Sequence, residues 1–262
     1  MKNNFVVIFK LAAVAALTHI YQANGPGKLE WDFSIPGQVA ARDGRLKATY
    51  GALTGLYLNE AGLKGVLELH GVACLTALDA AKNDLSGIAF KNLPGLVHLG
   101  LEHNEISDLS SLAGLTELTD LSLWENKISD LSPLAGLTDL SYLGLMENKI
   151  SDLSPLAGLA RLFFLELWKN KISDLSPLAG LIELTHLELE ENKISDLSPL
   201  AGLTKLADLS LGENSISDLS PLAGLVNLRE IYLEDCPVTD LSPLSHLPKL
   251  EKVNGQEYRR PT

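Results

Sequence analysis

The sequence predicts an α/β solenoid, with a parallel β-sheet along a concave side and short 3-10 or helical turns along a convex side. Three observations predict it. The segment Asn126-Lys-Ile-Ser-Asp-Leu-Ser-Pro-Leu-Ala-Gly-Leu137 returns nearly unaltered from Asn148, Asn170 and Asn192, and slightly altered from Asn104 and Asn214, each step being 22 residues. Around it runs Leu118-x-x-Leu121-x-Leu123-x-x-Asn126, continued by Ile128, Leu131, Leu134 and Leu137. In Leu121-Ser-Leu123 the two leucines fall on one side of a short strand, so stacked copies form a parallel sheet. Finally, Ser132-Pro133 recurs at Ser154, Ser176, Ser198, Ser220 and Ser242, with Ser read as an N-cap and Pro as the first residue of a short helical turn on the opposite side.

Taken in order, residues 1–23 carry Lys2, an apolar run broken by Lys10, and Leu11-Ala-Ala-Val-Ala-Ala-Leu17. A basic start before a short apolar run is the pattern of a secretory signal. The run is too short and too interrupted for a membrane span, so no membrane insertion of the mature chain is expected. Residues 24–52 are turn-rich around Gly25-Pro-Gly27 and Ile35-Pro-Gly37, then show patchy helical character from Val39 to Tyr50. They are read as the cap that covers the hydrophobic end of the first coil. Residues 53–253 hold about nine to ten copies. The copy starting at Leu96 follows that of Leu75 after 21 residues, which places a one-residue deletion in a turn. Residues 254–262 are a polar C-terminal tail.

This spacing at this period is that of a leucine-rich repeat. The chain resembles the 22-residue class found in bacterial internalin-like proteins and in the regulatory leucine-rich-repeat subunit of protein phosphatase 1. The resemblance implies a horseshoe whose concave face recognises a partner.

Each copy explains its own invariant residues. Asn126 and its counterparts come where the chain leaves the sheet, and their amides can satisfy backbone groups there. The column Asp108, Asp130, Asp152, Asp174, Asp196, Asp218 and Asp240 is read as turn and cap hydrogen bonding, with no metal assigned to it. Of the two cysteines, Cys74 and Cys236 lie too many repeats apart to be joined. Both are read as structural thiols, with Cys236 taking the asparagine slot of its repeat.

Function must then sit in the residues that vary among copies, on the strand positions facing away from the leucines. Trp124, Tyr142, Met146, Phe164 and Trp168 fall there, followed by Glu166, Glu188, Glu190, Asp208, Glu230, Tyr232 and Glu234. Large aromatics on an exposed strand face mark an interaction site. The acidic stretch, in a chain of formal net charge −12, favours a basic protein or peptide and argues against nucleic acid. No Walker loop, His-Glu-x-x-His or Gly-x-Ser-x-Gly occurs, so no enzyme and no cofactor are expected. The reading is an exported bacterial binding scaffold in the cell envelope or medium. Two alternatives fit the same residues: a cytoplasmic regulatory subunit like that of phosphatase 1, and a self-associating structural scaffold.

Overall fold

The computed structural model describes residues 54–70 and 73–258 of the 262-residue chain. Five short strands precede them: Phe5–Ile8, His19–Ile20, Trp31–Asp32, Gln38–Ala41 and Lys47–Thr49. Apart from these strands, the leader expected at 1–23 and the cap expected at 24–52 lie outside the described residues. The helical character expected from Val39 to Tyr50 is corrected where the chain is described. Gln38–Ala41 pairs antiparallel with both Lys47–Thr49 and Trp31–Asp32. Val39 and Thr49 are β-branched, which suits a strand better than a helix.

The chain divides into two compact units, residues 1–128 and 129–262. In the first, the strands Gly55–Tyr57, Ala77–Asp79, His98–Gly100 and Asp120–Ser122 pair in parallel, each with the next. The other side of its early coils is a second pair of parallel strands, Lys64–His70 and Asp84–Lys91. Here the expected 3-10 turns are replaced. These copies lack the Ser-Pro pair, and Val66-Leu-Glu-Leu69 and Ile88-Ala-Phe90 bring β-branched and aromatic residues that suit a strand. The register of this pair shifts once: Gly65 pairs with Leu85 but Val66 with Gly87, so Ser86 bulges.

In the second unit the parallel strands are Tyr142–Gly144, Phe164–Glu166, His186–Glu188, Asp208–Ser210, Glu230–Tyr232 and Lys252–Val253, with Gln256–Glu257 added antiparallel at the end. The 3-10 turns Ser132–Leu134, Ser154–Leu156, Ser176–Leu178, Ser198–Leu200, Ser220–Gly224 and Ser242–Leu244 lie on the far side of the coils. Between strand and turn, one copy buries Leu162, Leu165, Leu167, Ile172, Leu175, Leu178 and Leu181 to 1 % exposure or less. Each such side chain contributes about 1.5–3 kcal/mol, which offsets the entropy of ordering the copy.

Asparagine closes the core where the chain leaves the sheet. Asn170 Nδ2 donates to the carbonyls of Leu167 (3.1 Å), Trp168 (3.3 Å) and Leu145 (3.0 Å), and its Oδ1 accepts the Ile150 N–H at 2.9 Å. Asn83, Asn104, Asn192 and Asn214 repeat the pattern. The residue before each asparagine lies in the left-handed region, for example Glu125 (φ 54), Glu147 (φ 52), Lys169 (φ 57) and Glu213 (φ 53). None is glycine, so each turn carries a strain of about 1 kcal/mol that the amide bonds hold in place. At Cys236 the expected substitution is seen in part: the thiol is half-buried, and Sγ donates to the Leu211 carbonyl at 3.2 Å. Cys74, expected to pack, is exposed. It lies between Ala73 and Leu75, at the approach to a strand, where the side chain points off the coil.

The capping role assigned to serine belongs to aspartate. Leu131, Leu153, Leu175, Leu197, Leu219 and Leu241 occupy the N-cap positions, without a side-chain bond. Asp130 Oδ1 accepts the Ser132 N–H at 2.8 Å, and the other members of the column repeat this bond at the same distance. Aspartate reaches the amide two residues on because its carboxylate forms an Asx turn. No helix among the described residues is long and apolar enough to cross a membrane.

Candidate protein-binding face

The strand residues that face away from the leucines stand in columns across each sheet. In the second unit the first column is Tyr142, Phe164, His186, Asp208, Glu230 and Lys252. The second is Gly144, Glu166, Glu188, Ser210 and Tyr232. Met146, Trp168, Glu190 and Glu234 follow two residues further along their strands. Trp124 belongs to the first unit, where its ring meets His103 edge-on with centroids 4.0 Å apart.

The rings of the second unit form a ladder. Tyr142 and Phe164 are tilted at 5.5 Å between centroids, and Phe164 and His186 are stacked at 4.9 Å, 12° from parallel. His186 thus extends the aromatic patch, a contribution hidden in the sequence because a histidine between Thr185 and Leu187 reads as an ordinary polar strand residue. Trp168 carries the Lys169 ammonium 5.8 Å from its ring centroid. These aromatics are half-buried, sheltering one another. More exposed apolar side chains, among them Phe163, Ile182 and Val226, sit on the turns entering the strands.

Gly144 explains how the tyrosine is held. A Cβ on it would come within 2.9 Å of Tyr142 Oη and 3.0 Å of Glu166 Oε2. Because that space is vacant, Tyr142 lies diagonally across Gly144 and donates its hydroxyl to Glu166 Oε2 at 2.6 Å. The first unit uses the same device. His98 Nε2 reaches Asp79 Oδ1 at 2.8 Å beside Gly100, and Asp79 raises the imidazole above its ordinary pKa.

The acidic residues expected to face a basic partner separate into two groups. Asp208 is engaged by His186 Nε2 at 2.8 Å. Glu230 takes Lys252 Nζ at 2.6 Å and the Tyr232 hydroxyl at 3.1 Å, so its pKa is held down, chiefly by the lysine. Lysine at that distance in sequence is invisible as a partner until the strands are aligned. Glu166, Glu188 and Glu190 enter none of the described ion pairs. Burial raises Glu166, partly opposed by Tyr142. Burial, then the charges of Glu166 and Glu190, push Glu188 up to about 7. Glu190 Oε2 is closed to solvent with no hydrogen-bond partner among the described residues. Glu234 is exposed.

This geometry offers apolar contact, stacking and negative charge. Among the described residues no group of His, Cys, Asp and Glu is placed to hold a metal ion.

Comparison with known proteins agrees with the coil geometry. The model described as "Leucine Rich repeats (2 copies)" matches residues 116–158, 160–202, 182–224 and 204–246, and "Leucine rich repeat" matches 81–128. The chain belongs to the leucine-rich repeat family. Within it, the chain is similar to internalin C2 of Listeria monocytogenes, at 44% identity over 62% of this chain and 72% of that one, with a TM-score of 0.60. It is also similar to internalin F of the same organism, at 35% identity over 76% of this chain and 59% of that one, with a TM-score of 0.68. The functional domain of InlJ from Listeria monocytogenes shares the fold at 23% identity, over 77% of this chain and 48% of that one, with a TM-score of 0.60. No curated protein sequence matches. Repeat scaffolds of this kind are typical of protein–protein interaction, and the internalin-like group is generally non-enzymatic.

Proposed function

We propose that this chain is a non-enzymatic binding scaffold that holds a protein or peptide partner on the strand face of its repeats. One observation carries the reading: the aromatic ladder Tyr142–Phe164–His186, with Met146 and Trp168 beside it, on a sheet face over which no described element packs. Rings and thioether on such a face gain most from contact with another molecule. Phe164 and Trp168 are the anchors, and Tyr142 and Met146 extend them. The basic start and apolar run of residues 1–23 support export to the cell envelope or medium.

The test is affinity capture with the full chain and with its Trp168→Ala variant, followed by titration of the captured protein, once purified, against both. Circular dichroism first establishes that the two fold alike. Trp168→Ala is expected to weaken binding by about 2 kcal/mol or more. Equal affinity for both proteins would move the site away from this face. Loss of the fold in the variant would mean that Trp168 is core.

A further inference from the structure

Resting on that reading, we infer that Glu166 and Glu188, between the rings of Phe164 and Trp168, and Glu190, level with Trp168 on the next strand, receive the guanidinium of an arginine on a basic peptide segment of the partner. Phe164, Glu166 and Trp168 succeed one another on one side of a single strand and its continuation, about 6.6 Å apart. Glu188 pairs directly with Glu166 on the next strand, about 4.8 Å away, and Glu190 follows it. The result is a floor of carboxylates in which Glu166 and Glu188 have Phe164 and His186 on one side and Trp168 on the other, with Glu190 level with Trp168.

Two other acids of the same face have cations from within: Asp208 has His186 and Glu230 has Lys252. The three glutamates of the floor enter none of the described ion pairs, and Glu190 Oε2 is out of solvent without a donor among the described residues. A buried acceptor left so costs stability unless something arrives to satisfy it. A cation from outside would do both at once. Guanidinium suits the place better than ammonium, since its planar fork can serve two carboxylates while its flat face lies against a ring. The raised Glu188 adds a signature. Below about 7 it is protonated and offers less charge, so affinity for a cation must strengthen as pH rises through that value.

The probe is a synthetic decapeptide of alternating arginine and glycine, compared with its lysine and glutamate counterparts. Binding to the full chain is measured by fluorescence anisotropy at about pH 8 and about pH 5.5, either side of the Glu188 titration. The arginine peptide is expected to bind about tenfold more tightly at the higher pH. Glu188→Gln with Glu190→Gln should weaken it about tenfold and flatten that dependence. Glu191→Gln with Glu213→Gln removes the same charge from exposed turn residues and should change it less than about twofold. Glu188→Gln alone is a second variant should the pair fold poorly. Equal loss in both double variants would reduce the effect to bulk charge and overturn the inference, and so would equal binding of the lysine peptide. If the partner captured on the Trp168 surface is held undiminished by Glu188→Gln with Glu190→Gln, this inference fails while the binding face stands. If Trp168→Ala leaves that partner's affinity unchanged, the reading beneath it fails instead.

Discussion

Asparagine shows how one side chain can hold a coil. Asn170 uses both amide protons and its carbonyl oxygen on groups of its own turn and of the coil before it. A helix or sheet ladder would satisfy these groups internally, but a chain leaving the sheet beside a left-handed residue cannot. Asn170→Ala would orphan the Ile150 N–H and several carbonyls in partly buried surroundings. The expected cost is about 2 kcal/mol, against less than about 0.5 kcal/mol for Lys171→Ala at the exposed position beside it. Urea denaturation compares them, and matching midpoints would mean that water replaces the amide.

At the scale of the element, each turn is specified by three residues with separate duties. Asp130 captures the Ser132 N–H, Pro133 sets the backbone inside the turn, and Leu134 enters the core. The coil ending at Cys236 departs from its neighbours: the thiol keeps the bond to Leu211 but supplies no Oδ1 acceptor for the coil before it. Cys236→Asn should therefore stabilise the chain by about 1 kcal/mol, read as a raised thermal midpoint under reducing conditions. An unchanged or lower midpoint would show that Pro237 and Val238 hold that turn in a shape the amide cannot use.

For the whole molecule, two sets of carboxylates impose opposite pH dependences. Asp130, Asp152, Asp174, Asp196 and Asp240 titrate below their ordinary 3.8, because the Ser N–H and hydroxyl two residues on bind the charged form. Their contribution is present above that value and disappears as acid protonates them. Glu188 runs the other way. Its proton is held up to about 7 in the folded chain but leaves near 4.5 in the unfolded one, so its cost to stability accrues between those values and is constant above them. Glu188→Gln should stabilise the protein by about 1 kcal/mol near pH 8, after allowance for solvent screening, and leave it unchanged near pH 4. Thermal melts at both values measure this, and equal gains at the two would assign the effect to packing.

The repeat, its 22-residue step, the buried side of the repeat strands and the places of the Ser-Pro turns from Ser132 onward were legible in the sequence. They follow from local rules repeated often enough to leave one register: alternation in Leu143-Gly-Leu145, Pro155 at a turn, Asn148 where the strand ends. The columns in which the aromatic and acidic residues stand were legible for the same reason, since the period assigns each its place. What needed the tertiary structure was who meets whom within those columns. That Tyr142 crosses Gly144 to Glu166, that His186 completes the ring ladder, and that Lys252 neutralises Glu230 while Glu188 and Glu190 enter none of the described ion pairs depends on rotamers and on distances between coils. The capping aspartates and the strands Lys64–His70 and Asp84–Lys91 belong with these, because backbone dihedrals and pairing decided them. Periodicity fixes the position of a Cβ. The direction of the atoms beyond it is set by neighbours 22 residues away, which no local pattern encodes.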